Sequence, residues 1–325
     1  MSKALLSACI KLNGVWMGNE KQLMPKKFKR IAIFGVGLIG GSFALALKSA
    51  GAAQHVIGVG RSSASLERAL ELGIIDEIAV SVESAVRGAD LILIAAPVAQ
   101  TAQILTSILP HLQPGTVVTD AGSTKSDVVT AARSVMGDKL AQFVPAHPIA
   151  GRELNGPDAA LVDLYFGKKT VITRLPENSD ADVNAVASAW QSCGAVIHYL
   201  SPAEHDTVFA SVSHLPHLLA YALVDDIARK PHANRLFQYA ASGFRDFTRI
   251  AGSSPEMWRD ITLANRNAIL QELDSYTAQL AQLRTHLLND DADAIEMIYT
   301  NAQQARHIWI NAIESAEKQN KDGGD

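Results

Sequence analysis

From Arg30 onward, apolar residues fall into short solid runs separated by stretches of helical spacing. "RIAIFG" is a solid run ending on glycine, and "LIGGSFALALKSAG" continues it as a helix closed by Gly51, just past the last apolar position. "HVIGVG" reads as a second strand, "SASLERALELG" as a second helix, and "ADLILIAAP" as a buried strand stopped at Pro97. "TAQILTSILPHL" is helical, "GTVVTDAGS" a strand and "KSDVVTAARSVM" another helix. Strand alternating with helix predicts parallel strands joined by right-handed crossovers, an α/β, Rossmann-type doubly wound sheet. "KKTVITRL" and "AVIHYL" read as later strands, with a helix around Val183–Trp190 between them.

After about Ser201 the strand signals stop. Leu263, Leu270, Leu273, Leu280, Leu283 and Leu287 recur at spacings of three, four and seven, which predicts a long helix with an apolar seam. The core of an internal bundle and a dimer interface both fit that seam. The chain therefore divides into a dinucleotide-type α/β domain over residues 30–200 and an all-α helical domain over 201–325. Residues 1–29 are expected to be a poorly ordered leader, with Met24 a possible alternative start. "LSAC" at Leu6–Cys9 has the look of a lipoprotein cleavage box, but too few residues precede Cys9 for a charged start and an apolar region.

Length agrees with the division, since 325 residues exceed one ordinary core. At 48% hydrophobic and 19% charged the composition is that of a globular protein. A net charge of −4 with no basic patch gives no reason to expect a nucleic-acid partner. No uninterrupted apolar run reaches the ~18 residues of a membrane helix. Two cysteines, Cys9 and Cys193, exclude a disulfide framework and fit a reducing cytoplasm.

"GVGLIG" at Gly35–Gly40 is a G-x-G-x-x-G directly after a predicted strand and opening a helix. Gly35 permits the tight turn, Gly37 lets the backbone approach a pyrophosphate, and Gly40 lets helix and strand pack closely. Leu38 and Ile39 open the helix, whose free N–H groups and partial positive charge suit that pyrophosphate; Pro97, at the end of its strand, is placed on the same cofactor side. Where an NAD-binding fold carries an acid for the ribose, this chain has Gly60, followed by Arg61, Ser62 and Ser63. A guanidinium and hydroxyls suit a 2′-phosphate, so NADP is favoured over NAD.

Three further stretches carry chemistry. In "FVPAHPIAGRE", Pro145 and Pro148 hold His147 at what is expected to be a strand end, where its imidazole can accept a proton at neutral pH. "EHDTVFASVSHLPHLLAYAL" carries His205, His214 and His217; with no carboxylate or cysteine at a matching spacing, and with Pro216 expected to bend the helix, a substrate pocket is the better reading than a metal. "GFRDFTRIAGSSPEMWRD" sets Arg245, Arg249 and Arg259 beside Asp246 and aromatics, a cationic stretch suited to carboxylates.

Taken in order, "GVGLIGGS", "DAGSTK", "PAHPIAG", "HDTVFASVSHLPH" and "GFRDFTRIAGSSPEMWRDI" resemble the motifs of the prephenate/arogenate dehydrogenases of tyrosine biosynthesis, over roughly residues 30–290. The resemblance implies oxidative decarboxylation of a cyclohexadienol, with hydride transfer to NAD or NADP. It implies that His147 is the catalytic histidine, hydrogen-bonded along with Ser123 at the reacting hydroxyl. Arg249 would hold a substrate carboxylate, His214 and His217 would line the pocket with His217 nearer the side chain, and Trp258 would line the same region. Glu153 and Asp246 would form an ionic network with Arg249 at the mouth, and the helical domain would dimerise. About 35 residues after the long helix are too few for a further domain. Two other readings compete: a β-hydroxyacid-type dehydrogenase, which would use a lysine on a helix of the second domain, and a non-catalytic dinucleotide-sensing regulator.

Overall fold

The computed structural model describes residues 26–322. Met24, Cys9 and most of the expected leader lie outside the described residues. Phe28 does not belong to a leader: it is fully buried, and it exchanges backbone hydrogen bonds with the Ala52–Gln54 turn, so the fold begins before Arg30.

The first half is built on β1 (Ile31–Phe34), α1 (Leu38–Ser49), β2 (Val56–Val59), α2 (Ser63–Glu71), β3 (Glu77–Ile78) and α3 (Val82–Val86). It continues with β4 (Leu91–Ile94), α4 (Thr101–Ile108), β5 (Val117–Asp120), α5 (Ser126–Met136) and β6 (Phe143–Val144). The strands form one parallel sheet in the order β3-β2-β1-β4-β5-β6. That is the doubly wound order, with the switch point between β1 and β4. The sequences "IAIF" and "LILI" of those two strands are buried at every position because helices cover both faces. On one face Phe43 and Leu47 of α1 meet Trp190 and Tyr165, with Trp190 4.6 Å from Phe43 and 5.1 Å from Tyr165, ring centre to ring centre. On the other face Leu105, Ile108, Val128 and Phe143 close the core.

The later strands do not extend this sheet. β7 (Ala146–Pro148), β8 (Lys169–Ile172) and β9 (Val196–Tyr199) make a second, three-stranded sheet, with α6 (Asp180–Ser192) between β8 and β9. β7 runs antiparallel to β8, pairing His147 with Val171. Pro145 separates β6 from β7, and because it has no N–H to give a ladder it is where the chain leaves one sheet for the other. "PAHPIAG" does begin at a strand end, that of β6, but its middle residues Ala146–Pro148 form a short strand of their own.

A buried ion pair fixes where β7 begins. The Lys125 ammonium, fully buried, bonds the Asp120 carboxylate and donates to the Ala146 carbonyl at 2.9 Å. Asp120 in turn accepts the Ala146 N–H at 3.1 Å and the Gly122 N–H at 2.8 Å. The end of β5 and the start of β7 are stapled together by two opposite charges, each satisfied by backbone.

The second half is helical: α7 (Pro202–Phe209), α8 (Leu215–Ala228), α9 (Ala233–Gln238), α10 (Ser242–Thr248), α11 (Pro255–Ala264), α12 (Arg266–Leu288) and α13 (Ala292–Asp322). Ser201 and Glu204 form a capping box at the start of α7, ahead of Pro202 in the first turn. Between α7 and α8 the helix continues through a π turn, Ala210–His214, just ahead of Pro216. Pro216 cannot donate to the preceding turn, and the wide turn just before it absorbs that loss. By length and composition the continuous helix Pro202–Ala228 is long and apolar enough to cross a membrane, with a mean hydropathy of 1.4, although no single uninterrupted run suggested it. The leucine seam is not the core of a bundle within one chain. Leu263 lies on α11, and Leu263, Leu270, Leu280 and Leu287 are 63%, 48%, 48% and 62% exposed.

Removing one partner of a buried ion pair leaves the other charge without compensation, at a cost of about 3–5 kcal/mol. Lys125→Met is therefore expected to lower the unfolding free energy by that order, read from denaturant midpoints. Asp120→Asn combined with it should recover most of the loss.

Candidate functional site

Two of the three glycines of the first turn answer a steric demand within the protein, and the third borders open space. Gly35 has φ +99°, and a Cβ there would sit 2.5 Å from the Ala95 carbonyl oxygen, so β1 and β4 end almost in contact. A Cβ on Gly40 would lie 2.1 Å from the Gly35 oxygen and 2.8 Å from Ile33. Around Gly37, the residue that starts α1, a Cβ would meet nothing within 4 Å. No side chain caps α1 and no acid lies in its first turn, which leaves the Leu38–Ile39 end open to an anion. The residues present fit a dinucleotide pyrophosphate. Pro97 is half-buried at the end of the segment after β4, across the switch point.

At the end of β2, Gly60 and Arg61 are exposed. Ser62 caps α2, accepting the Ser65 N–H at 3.2 Å, and the first turn of α2 carries no acid. Arg61, Ser62 and the N-terminus of α2 thus follow one another at the end of β2, with no acid in the first turn of the helix.

His147, on β7, is partly buried, and its Nδ1 lies 2.8 Å from His205 Nε2. His205 Nδ1 lies 2.8 Å from Asp206 Oδ1. Asp206 also accepts the N–H groups of Lys125 and Ser126, each at 2.8 Å, and so caps α5 from the other half of the molecule. Asn265, buried at the α11–α12 junction, donates to the Asp206 carbonyl at 2.7 Å and reaches His214 Nδ1 at 3.0 Å. His214 makes a further hydrogen bond to the Ser123 backbone. Among the described residues no hydrogen bond joins the Ser123 side chain to His147.

Burial decides the charge of these rings. It lowers His147 well below the ordinary histidine value, with the His205, Lys125 and His214 charges adding to the effect. It lowers His205 as well, against the opposing Asp206. His214 and His217 are pushed down to about 4, again chiefly by burial. Burial works to raise the Asp206 carboxyl, but hydrogen bonds from His205, Ser126 and Lys125 outweigh it and hold the group below its usual range. At neutral pH the four imidazoles are neutral, and one of them, His205, bonds the ionised Asp206 carboxylate.

The rest of the predicted set divides. His217 stacks on Trp258, 3.5 Å between ring centres, and its backbone partner is Ile250. Tyr221 donates to the Ser253 carbonyl at 2.7 Å, so α8 pins the short turn that carries Arg249. His217 Nδ1 and Trp258 Nε1 are buried without a hydrogen-bond partner among the described residues. Arg249 ion-pairs with Glu153, as expected. Asp246 does not join them: it and Arg245 are both exposed and face each other at 3.7 Å. Arg259 is spent on Asp260 at 2.7 Å.

The sequence places His205 only in a stretch read as a substrate pocket, and it gives Asp206 and Asn265 no role. A buried His-Asp pair one residue after a capping-box glutamate was the available signal, but its partners lie 58 and 81 positions away.

Residues 43–199 match the family description "Prephenate dehydrogenase, nucleotide-binding domain", and residues 201–300 match "Prephenate dehydrogenase, dimerization domain". Cyclohexadienyl dehydrogenase of Zymomonas mobilis is 34% identical over 86% of this chain and 95% of its own length. Prephenate dehydrogenase of Bacillus subtilis is 36% identical over 85% of this chain and 75% of its own length. The solved prephenate dehydrogenase of Aquifex aeolicus, in complex with hydroxyphenyl propionate and NAD+, superposes with a TM-score of 0.77 at 34% identity, covering 88% of this chain and 98% of that one. With both halves matched and two relatives above 30% identity along most of their length, this chain belongs to the prephenate dehydrogenase family.

Proposed function

We propose that His147 is the base of an oxidative decarboxylation acting on prephenate, arogenate or both, giving 4-hydroxyphenylpyruvate or tyrosine. The observation that carries this reading is a neutral, partly buried imidazole on the same hydrogen-bonded cluster as His214. A nicotinamide dinucleotide, held by its pyrophosphate at the Gly35–Gly40 turn, would supply the acceptor for the hydride of the hydroxyl-bearing ring carbon. As that carbon becomes carbonyl-like, His147 takes up the hydroxyl proton. Loss of carbon dioxide from the opposite ring carbon sends an electron pair through the ring to the oxygen, and His147 returns the proton to it. The proton balance closes on one residue, and the gain of an aromatic ring makes the step effectively irreversible.

Ser123 supports the reacting hydroxyl from the β5–α5 turn. Arg249 exchanges Glu153 for a substrate carboxylate and orients the dianion. His217 and Trp258, each with an unpaired buried polar atom, meet the substrate side chain, and His214 backs them; an unmade buried hydrogen bond costs about 1–3 kcal/mol and favours a bound partner. Arg245 and Asp246 stand farther out on the surface, where a second protomer or the substrate's approach would meet them. NADP is favoured over NAD because Arg61 and Ser62 replace the strand-end acid. We read residues 30–200 as the dinucleotide-binding domain and 201–325 as the substrate and dimerisation domain. The exposed leucine seam, with Leu236 and Phe237, supports a homodimer through the helical half, and the buried free thiol of Cys193 supports a cytoplasmic location.

The competing dehydrogenase class needs a helical lysine in the second domain. Between Gly194 and Leu288 the chain has only Lys230, which pairs with Asp226 at 2.8 Å at the end of α8. A regulator that only senses the dinucleotide would have no use for the base.

His147→Asn is expected to lower kcat by ~10²–10⁴ with KM largely kept. In the intact protein kcat/KM should stay level as the pH falls through about 6.5 and drop only below it, because His147 loses its proton-accepting form at a lower pH than an ordinary histidine; steady-state rates against pH test both. Arg249→Ala should act mainly by raising KM for the substrate, and an unaltered KM would remove it from the site. Arg61→Ala should weaken NADP more than NAD in titrations of each cofactor, and equal losses would contradict the 2′-phosphate reading.

A further inference from the structure

Only one proton can lie between His147 Nδ1 and His205 Nε2, and the far end of the cluster decides which ring supplies it. The ionised Asp206 carboxylate is an acceptor only, and it already holds the Lys125 and Ser126 N–H groups. His205 must therefore donate to it through Nδ1. A neutral His205 that donates through Nδ1 carries a lone pair on Nε2. His147 Nδ1 is then the donor to that lone pair, and the lone pair of His147 is on Nε2. Among the described residues, that nitrogen has no protein partner and is not one of the fully buried unpaired atoms. Phe209 packs against both rings, 5.0 Å from His147 and 4.5 Å from His205 between ring centres, and hinders either from turning.

We propose that His205, oriented by Asp206, is the positioning residue of the reaction: it locks His147 in the tautomer whose free Nε2 lone pair faces the cleft. The proposal rests on His147 being the base. With the opposite tautomer, Nε2 would carry a proton and donate to the substrate hydroxyl instead of accepting from it. The groups facing His205 are His147 from β7, Asp206 on its own helix, Lys125 and Asp120 from the β5–α5 turn, and His214 from the π turn. Asp206 and Asp120 favour a proton on His205, Lys125 disfavours it, and burial disfavours it most. The arrangement keeps the relay neutral while retaining an anion at its end to stabilise His147 when it is transiently protonated.

The test uses the intact protein labelled with ¹⁵N-histidine, with His147 assigned by its disappearance in His147→Asn. At neutral pH the His147 signals should be those of a protonated Nδ1 and an unprotonated Nε2. In His205→Leu the acceptor is lost; His147 should populate both tautomers and kcat should fall. The fall is expected to be about 10- to 100-fold, the order seen when the partner on the other nitrogen of a metal-bound imidazole is removed. KM for substrate and cofactor should hardly move. His205→Gln, whose amide oxygen can accept the same proton, should recover part of kcat and the original tautomer. Observing protonated Nε2 on His147 in the unmodified protein overturns the proposal without any variant having to fold. So does a His205→Leu protein with unchanged kcat and tautomer. An active His147→Asn would instead overturn the base assignment itself.

Discussion

A single carboxylate, that of Asp206, joins the two halves of the molecule at the point where they must agree. It sits on α7 of the helical half, yet it caps α5 of the nucleotide-binding half through Lys125 and Ser126 and receives the His205 ring on the oxygen that takes the Lys125 N–H. A buried charge is tolerated only when donors surround it, and here backbone and imidazole supply them. The turn that carries Ser123, the strand that carries His147 and the helix that carries His214 are all placed relative to that one group. The Asp120–Lys125 pair does the complementary work inside the first half, fixing β7 against β5 so that His147 is presented from a strand.

The electrostatic plan separates attraction from proton transfer. Arg249 meets solvent, paired with Glu153, whereas the interior holds neutral imidazoles beside the Lys125 ammonium, whose charge is matched by Asp120. A cluster of protonated histidines would attract a dianion more strongly, but it would hold no lone pair. On the proposed reading of His147 as the base, burial sacrifices some binding to keep that base competent at neutral pH.

Much of this was legible in the residues. The glycine turn declared itself because backbone contact at Gly35 and Gly40 forbids any side chain, and the solid apolar strands declared the parallel sheet. His147 stands out through its flanking prolines, and one of them, Pro145, marks the end of β6 and the change from one sheet to the other. The remainder was hidden for definite reasons. β7 is three residues long and has no periodicity to detect. The leucine pattern specifies an apolar face but not what covers it. The partners of Asp206 and of Asn265 are far away in sequence, and Asp246, adjacent in sequence to Arg245, chose that neighbour over the more distant Arg249. Local pattern names elements; long-range polar pairing has to be seen.

The wide turn at Ala210–His214 has a consequence for the register of the whole helix. Nine positions of regular α-helix amount to about two and a half turns, which would send His205 and His214 to opposite sides. Slower winding over five residues brings both rings to bear on the neighbourhood of Asp206. The π turn acts as a phase shifter, and every ring beyond it, including the His217–Trp258 stack, inherits its azimuth from that local loosening of the coil.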